Sequence, residues 1–182
     1  MSRIGNQPIE VPAQVSFEKK ADQLLVRGPK GLVMVVIPES IAVDTQNNPV
    51  KISVTKNDTY TKSLHGLLRS LINNAVIGVT KGWEKRVELV GVGYRATGGS
   101  SEVTLNVGFS HPVVVKAPKD ITFAISDNTK ITISGIDRKV VGEMAATLRA
   151  VKPPEPYKGK GIRYAGEIVR KKAGKAVKAA TA

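Results

Sequence analysis

Lys51-Ile-Ser-Val54 and Lys130-Ile-Thr-Ile133 are the two stretches whose reading decides the fold. Each alternates polar and apolar residues with the period of a β-strand, and each is followed by a segment of helical period. After the first, Leu64, Leu67, Leu68, Leu71, Ile72 and Ala75 recur at helical spacing, which assigns Lys62, His65, Arg69 and Asn73 to a polar face. After the second, Val141, Met144, Ala145 and Leu148 repeat the apolar stripe, and Gly66 and Gly142 occupy similar places. Asp58 or Thr59 is positioned to cap the first helix and Asp137 the second, while Pro153 and Pro154 stop the second. A strand-helix unit that occurs twice points to an internal duplication, against the alternative of chance similarity between two such units.

Outward from these units lie short β-rich runs. Gln23 to Arg27, the turn Gly28-Pro-Lys-Gly31 and Leu32 to Ile37 read as a hairpin. In the second half Val87 to Val92, Glu102 to Phe109, Val113 to Val115 and Ile121 to Ile125 alternate in the same way, with Gly98-Gly-Ser-Ser101 and Ala117-Pro-Lys-Asp120 as turns. Strands followed by one helix, twice, predict an α+β fold of two tandem, structurally similar domains. Each is expected to be a small, mainly antiparallel sheet with one packed helix. The boundaries expected are 1–82 for the N-terminal domain, 83–170 for the C-terminal domain with a loop over 152–164, and 171–182 for a basic tail.

Charge narrows the function. The 182 residues carry 28 Lys and Arg against 15 Asp and Glu, a net +13 that favours a polyanionic partner, nucleic acid or an acidic membrane surface. The excess is not spread evenly. Residues 152–182 hold nine basic groups, Lys152, Lys158, Lys160, Arg163, Arg170, Lys171, Lys172, Lys175 and Lys178, against only Glu155 and Glu167. The segment from Arg170 to the end admits a disordered Lys/Ala tail that orders on a partner. Lys152-Pro-Pro-Glu-Pro-Tyr-Lys-Gly-Lys-Gly-Ile-Arg-Tyr164 reads differently, because three prolines stiffen it and two glycines permit close backbone approach, so a shaped loop is expected. Tyr157 and Tyr164 flank the cations Lys158, Lys160 and Arg163, so a ring could stack on a base while cations meet phosphates; the alternative for both rings is local packing.

Other chemistries find little support. Cysteine is absent, which removes disulfides, thiolate nucleophiles and the usual structural zinc ligands and fits a cytosolic setting. No run approaches the ~20 apolar residues of a membrane span, and Met1 to Pro12 has no apolar stretch of the export type, so a cytoplasmic protein is expected. Aromatic residues make up 4%, with Trp83 the single tryptophan, too few to wall a deep substrate pocket. Gly91-Val-Gly-Tyr-Arg-Ala96 satisfies a dinucleotide fingerprint, but turn residues and a strand follow it where a helix is required, which leaves small residues in a strand with Arg95 available for phosphate. His65 and His111 have no evident catalytic partner; solvent or backbone roles are expected for both, with a phosphate or base contact the second reading for His111. Asn57-Asp-Thr59 is formally a glycosylation sequon and reads more simply as a turn and helix cap. An enzyme would need an acid/base set that the sequence does not assemble, and a membrane-surface protein would need a bulkier apolar face than the alanine-rich tail supplies. No cofactor, metal or small-molecule substrate is expected.

Pro154-Glu-Pro-Tyr-Lys-Gly-Lys-Gly-Ile-Arg-Tyr164 resembles the C-terminal signature of the bacterial large-subunit ribosomal protein L-six family. Met1-Ser-Arg-Ile-Gly5, Val26-Arg-Gly-Pro-Lys-Gly31, His65-Gly66, Glu88-Leu-Val-Gly-Val-Gly-Tyr-Arg-Ala96 and Gly108-Phe-Ser-His-Pro112 extend the resemblance over residues 1–170; Asn6 stands where the family usually has lysine. The resemblance implies a duplicated, non-catalytic protein of the large ribosomal subunit. Its C-terminal domain would grip ribosomal RNA near the sarcin-ricin loop and the stalk base, beside neighbouring ribosomal proteins, where translation factors bind. It assigns RNA contact to Arg95, His111, Lys152, Tyr157, Lys158, Lys160, Arg163 and Tyr164, supported by Arg170, Lys171 and Lys172.

Overall fold

The computed structural model describes residues 2–45, 48–55 and 58–174. The chain divides into two compact units, Met1–Trp83 with Ile136–Arg138, and Glu84–Gly135 with Lys139–Ala182. The fold is α+β, with two helices and several small antiparallel sheets, as the repeat implies.

In the first unit, β2 (Gln23–Gly28) and β3 (Gly31–Val36) form the expected hairpin. Their register sets Leu24 against Val35 and Val26 against Val33, so that the buried residues Leu24, Val26 and Val35 share one face. A further strand, β1 (Ser16–Lys20), pairs antiparallel with β2. Hydropathy does not disclose β1, because in Ser16-Phe-Glu-Lys-Lys20 only Phe17 is partly shielded and the ladder to β2 holds the rest. The short β4 (Ile41–Asp44) and β5 (Lys51–Val54) make a separate two-stranded sheet, again antiparallel.

Helix α1 (Thr59–Thr80) follows β5. The Asp58 side chain accepts a hydrogen bond from the Thr61 N–H at 2.7 Å, a cap of about 1 kcal/mol. Asn57, the first residue of the sequon, lies outside the described residues. Of the expected apolar face of α1, Leu68, Ile72 and Ala75 are buried and Leu64 packs half-buried against the same core, while Thr61, His65, Val76, Gly78 and Val79 complete the buried stripe. Leu67 and Leu71 are exposed, while His65 is only 1% exposed. The imidazole earns that position through a partner: its Nε2 lies 3.0 Å from the Ile52 carbonyl oxygen of β5, and because a carbonyl only accepts, Nε2 carries the proton. The backbone role expected for His65 therefore holds, and the polar-face placement does not. Gly5 packs against the same ring so closely that a Cβ there would fall 2.4 Å from Nδ1.

In the second unit, β10 (Ile121–Ser126), β11 (Lys130–Gly135), β6 (Trp83–Val90) and β12 (Gly161–Tyr164) form a four-stranded sheet in the order β10-β11-β6-β12. A three-stranded sheet contains β7 (Arg95–Gly98), β8 (Glu102–Asn106) and β9 (Val113–Lys116) in that order. As in the first unit, two antiparallel strands, here β10 and β11, immediately precede the helix, α2 (Arg138–Val151). Val141, Ala145 and Leu148 are its buried residues, and burying a side chain such as Leu148 contributes about 2 kcal/mol. The run after Gly91 contains strand β7 and no helix, as the rejection of the dinucleotide reading requires. One expectation needs correction: the segment 152–164 is not loop throughout, since Gly161–Tyr164 is a strand held by its ladder to β6.

Candidate nucleic-acid interface

The basic segment begins where α2 ends at Val151, because Pro153 and Pro154 cannot continue a helical ladder. The Lys152 carbonyl then accepts from the Ile162 N–H at 2.7 Å, tying the helix exit to β12. Between these anchors the chain closes a compact turn. Glu155 N–H donates to the Lys160 carbonyl at 2.8 Å, Gly159 N–H donates to the Glu155 carbonyl at 3.1 Å, and the Glu155 carboxylate accepts from the Lys158 N–H at 3.0 Å. Gly161 has φ +142°, and a Cβ on it would lie 2.6 Å from both the Pro153 carbonyl oxygen and the Pro154 Cα. Glycine is thus required where the two ends of the turn cross. The turn holds Tyr157 and Lys158 exposed, with Lys160 half-buried at its base.

The chain beyond β12 returns over this turn, where the Lys172 N–H donates to the Pro156 carbonyl at 2.8 Å. Arg170, Lys171 and Lys172, all exposed, are therefore carried toward Tyr157 and Lys158. The expected tail 171–182 is described only through residue 174; Lys175 and Lys178 lie outside the described residues. Glu167 holds the return path. Its carboxylate receives two hydrogen bonds from the Arg149 guanidinium of α2, at 2.7 and 3.2 Å, and a third from the Tyr164 N–H at 3.0 Å. Hydrogen bonding from Arg149, then from the Tyr164 amide, lowers the Glu167 carboxyl below its ordinary pKa. The Arg149 guanidinium is raised in turn, chiefly by the same pair. Both acidic side chains of the basic segment thus serve the protein's own donors.

A second cluster adjoins the helix exit. Lys152 Nζ stands 4.7 Å from the centre of the Phe109 ring, and Phe109 stacks with His111 at 6.2 Å and 18° between planes. The turn between β8 and β9 and the start of the basic loop are thereby brought together. Arg163 and Tyr164 already have protein partners. Arg163 Nη2 lies 3.4 Å from Glu88 Oε2, its cross-strand neighbour on β6, while its buried Nε has no hydrogen-bond partner among the described residues. The Tyr164 ring is bracketed by Lys85 Nζ at 4.9 Å and the Arg149 guanidinium at 5.5 Å. Arg95 is exposed on β7, in the other sheet of the unit.

Sequence reasoning missed Phe109, Lys85 and Arg149. A signal existed for Phe109, a bulky apolar residue inside a turn of polar residues and glycine. None exists in the linear sequence for Lys85 and Arg149, whose meeting at Tyr164 depends on the packing of β6, α2 and β12. Among the described residues there is no group of His, Asp and Glu able to hold a metal ion, and no helix long and apolar enough to cross a membrane.

The family model for ribosomal protein L6 matches the chain twice, over residues 11–82 and 90–165. The chain belongs to the ribosomal protein L6 family. It is similar to large ribosomal subunit protein uL6c of Guillardia theta, 48% identical with 98% of this chain and 99% of that one covered. It is likewise similar to protein uL6 of a Synechococcus species at 50% identity and of Dictyoglomus thermophilum at 48%, each with 98% of this chain and 99% of the relative covered. L6-family membership makes the chain a structural constituent of the large ribosomal subunit and not an enzyme. The two matched regions also express the duplication: one contains the unit β5-α1 and the other the unit β11-α2.

Proposed function

We propose that this chain binds large-subunit ribosomal RNA, mainly through a C-terminal domain spanning 83–170, and helps shape the region near the sarcin-ricin loop and stalk base that translation factors use. A single observation carries the reading. The turn 153–160 is braced by its own backbone and by Glu155, so that Tyr157 and Lys158 are held outward with Arg170, Lys171 and Lys172 drawn over the same surface. A preorganised turn loses little conformational freedom on binding, and its lysines gain by releasing counterions from phosphate. Tyr157 supplies an exposed ring for a base or sugar. Lys152, Phe109 and His111 extend the surface, and Arg95 adds a phosphate contact. Arg163 and Tyr164 place the strand that anchors the turn and offer RNA their accessible donors.

The action is architectural: phosphates are neutralised, an RNA junction is clamped, and its shape is held for the factors, beside neighbouring large-subunit proteins in the cytoplasmic ribosome. Filter binding of the full chain to large-subunit ribosomal RNA, competed with an unrelated structured RNA of equal length, tests this. Retention resistant to the unrelated RNA is expected, with footprints at the sarcin-ricin loop and stalk base. Equal competition by both RNAs and no discrete footprint would refute the reading.

A further inference from the structure

Strand β3 reads Gly31-Leu-Val-Met-Val-Val36 and contains neither charge nor proline. It is the terminal strand of the order β1-β2-β3, so among the described residues no strand pairs with its second edge. Alternate residues of such a strand turn their N–H and C=O groups toward the open side. Exposed edges are ordinarily guarded, and the opposite edge of this sheet is: β1 carries Glu18, Lys19 and Lys20. β3 has no comparable guard. Its side chains add a second, independent feature. Leu32, Met34 and Val36 are 44%, 54% and 64% exposed, although Val35 between them is buried. Leu25 stands opposite Met34, so these apolar side chains form one continuous patch beside the open backbone edge.

We propose that β3 is a docking edge for an extended segment of another protein, which adds to the sheet as a further strand. Its alternate apolar side chains would cover Leu32, Met34 and Val36, and its main-chain groups would pair with the open edge of β3. RNA is a poor occupant, because β3 offers no aromatic ring on which a base could stack and no cation for its phosphates, while its open edge matches the main-chain spacing of a peptide strand. A second copy is also disfavoured. Two chains of charge +13 repel, and a few apolar side chains fall far short of the roughly 20–30 residues a side of a stable interface. An added strand needs less area, since main-chain hydrogen bonds supply affinity and alternate side chains supply specificity. Within a large subunit, where neighbours are held at high effective concentration, a small edge suffices.

The test places a benzophenone side chain at position 34 of the full chain, incorporates it into large subunits and irradiates them. Hydrogen exchange of β3 amides is measured in parallel in intact subunits and in the free chain. The expected result is a crosslink to one protein segment of alternating apolar residues, with β3 amides exchanging at least about tenfold more slowly in the subunit. A crosslink to RNA alone or to a second copy, absence of a protein crosslink, or unchanged amide exchange each overturns the proposal. Met34→Lys serves as the folding control, and its urea midpoint is expected to match that of the unmodified chain because the side chain it replaces is exposed.

Discussion

Gly161→Ala and Gly159→Ala make the same chemical change in the same turn and meet different surroundings. At Gly159 the backbone is left-handed, φ +72°, and a Cβ would meet nothing within 4 Å, so alanine costs the conformational penalty alone, about 1 kcal/mol. At Gly161 the φ of +142° is a region that side chains avoid, a strain of about 2 kcal/mol. There the added Cβ would also sit 2.6 Å from the Pro153 oxygen and Pro154 Cα, which are backbone atoms that cannot rotate away. Forcing the two chain segments apart adds about 2 kcal/mol, on the scale of an overpacked core, for a total of about 4 kcal/mol. With a urea slope of about 2 kcal/mol per molar, the midpoint of the C-terminal unit should fall by about 2 M for Gly161→Ala and by about 0.5 M for Gly159→Ala. The assay is urea unfolding of the full chain, followed by amide exchange of β12 to assign the transition. Equal midpoints for the two variants, or a loss below about 1 kcal/mol at position 161, would refute the claim that the crossing of the turn's two ends dictates glycine.

Glu167→Gln should cost about 1 kcal/mol, because the pair with Arg149 is partly exposed and screened. The Glu167 carboxyl is lowered in the folded chain, so its contribution is present above the unfolded carboxylate value and is lost as pH falls through the folded one. The stability gap between the unmodified chain and Glu167→Gln should accordingly shrink below about pH 4, which urea titrations at several pH values would detect. Lys158→Ala combined with Lys160→Ala should weaken RNA binding and reduce the salt slope by about two, with the urea midpoint unchanged; an unchanged slope would remove both residues from the interface. His65→Ala should cost about 3 kcal/mol through the orphaned Ile52 carbonyl and the cavity, whereas Leu67→Ala, on the exposed side of α1, should cost under about 0.5 kcal/mol in the same measurement.

What the sequence determined by itself is what local rules determine. Alternation marked β5 and β11, helical spacing marked α1 and α2, Asp58 and Pro153 bounded their helices, and the concentration of Lys and Arg after residue 151 located the basic segment. These signals survive in one dimension because each depends on residues within a turn or two of one another. Tertiary structure decided the rest. Apolar spacing marked Leu64, Leu68, Ile72 and Ala75 of the α1 face but not its centre line, because the carbonyl of Ile52 on a separate strand makes a buried place for His65 and leaves Leu67 and Leu71 outside. Strand β12 hid inside a Gly- and Lys-rich segment because its stability comes from the ladder to β6, more than seventy residues earlier. β1 hid for the same reason. The bracketing of Tyr164 by Lys85 and Arg149, and the return of Lys172 to Pro156, join residues whose separation along the chain conveys nothing about their distance in space. Charge could be counted from the sequence, but which charges share a surface is set by hydrogen bonds and packing between distant segments.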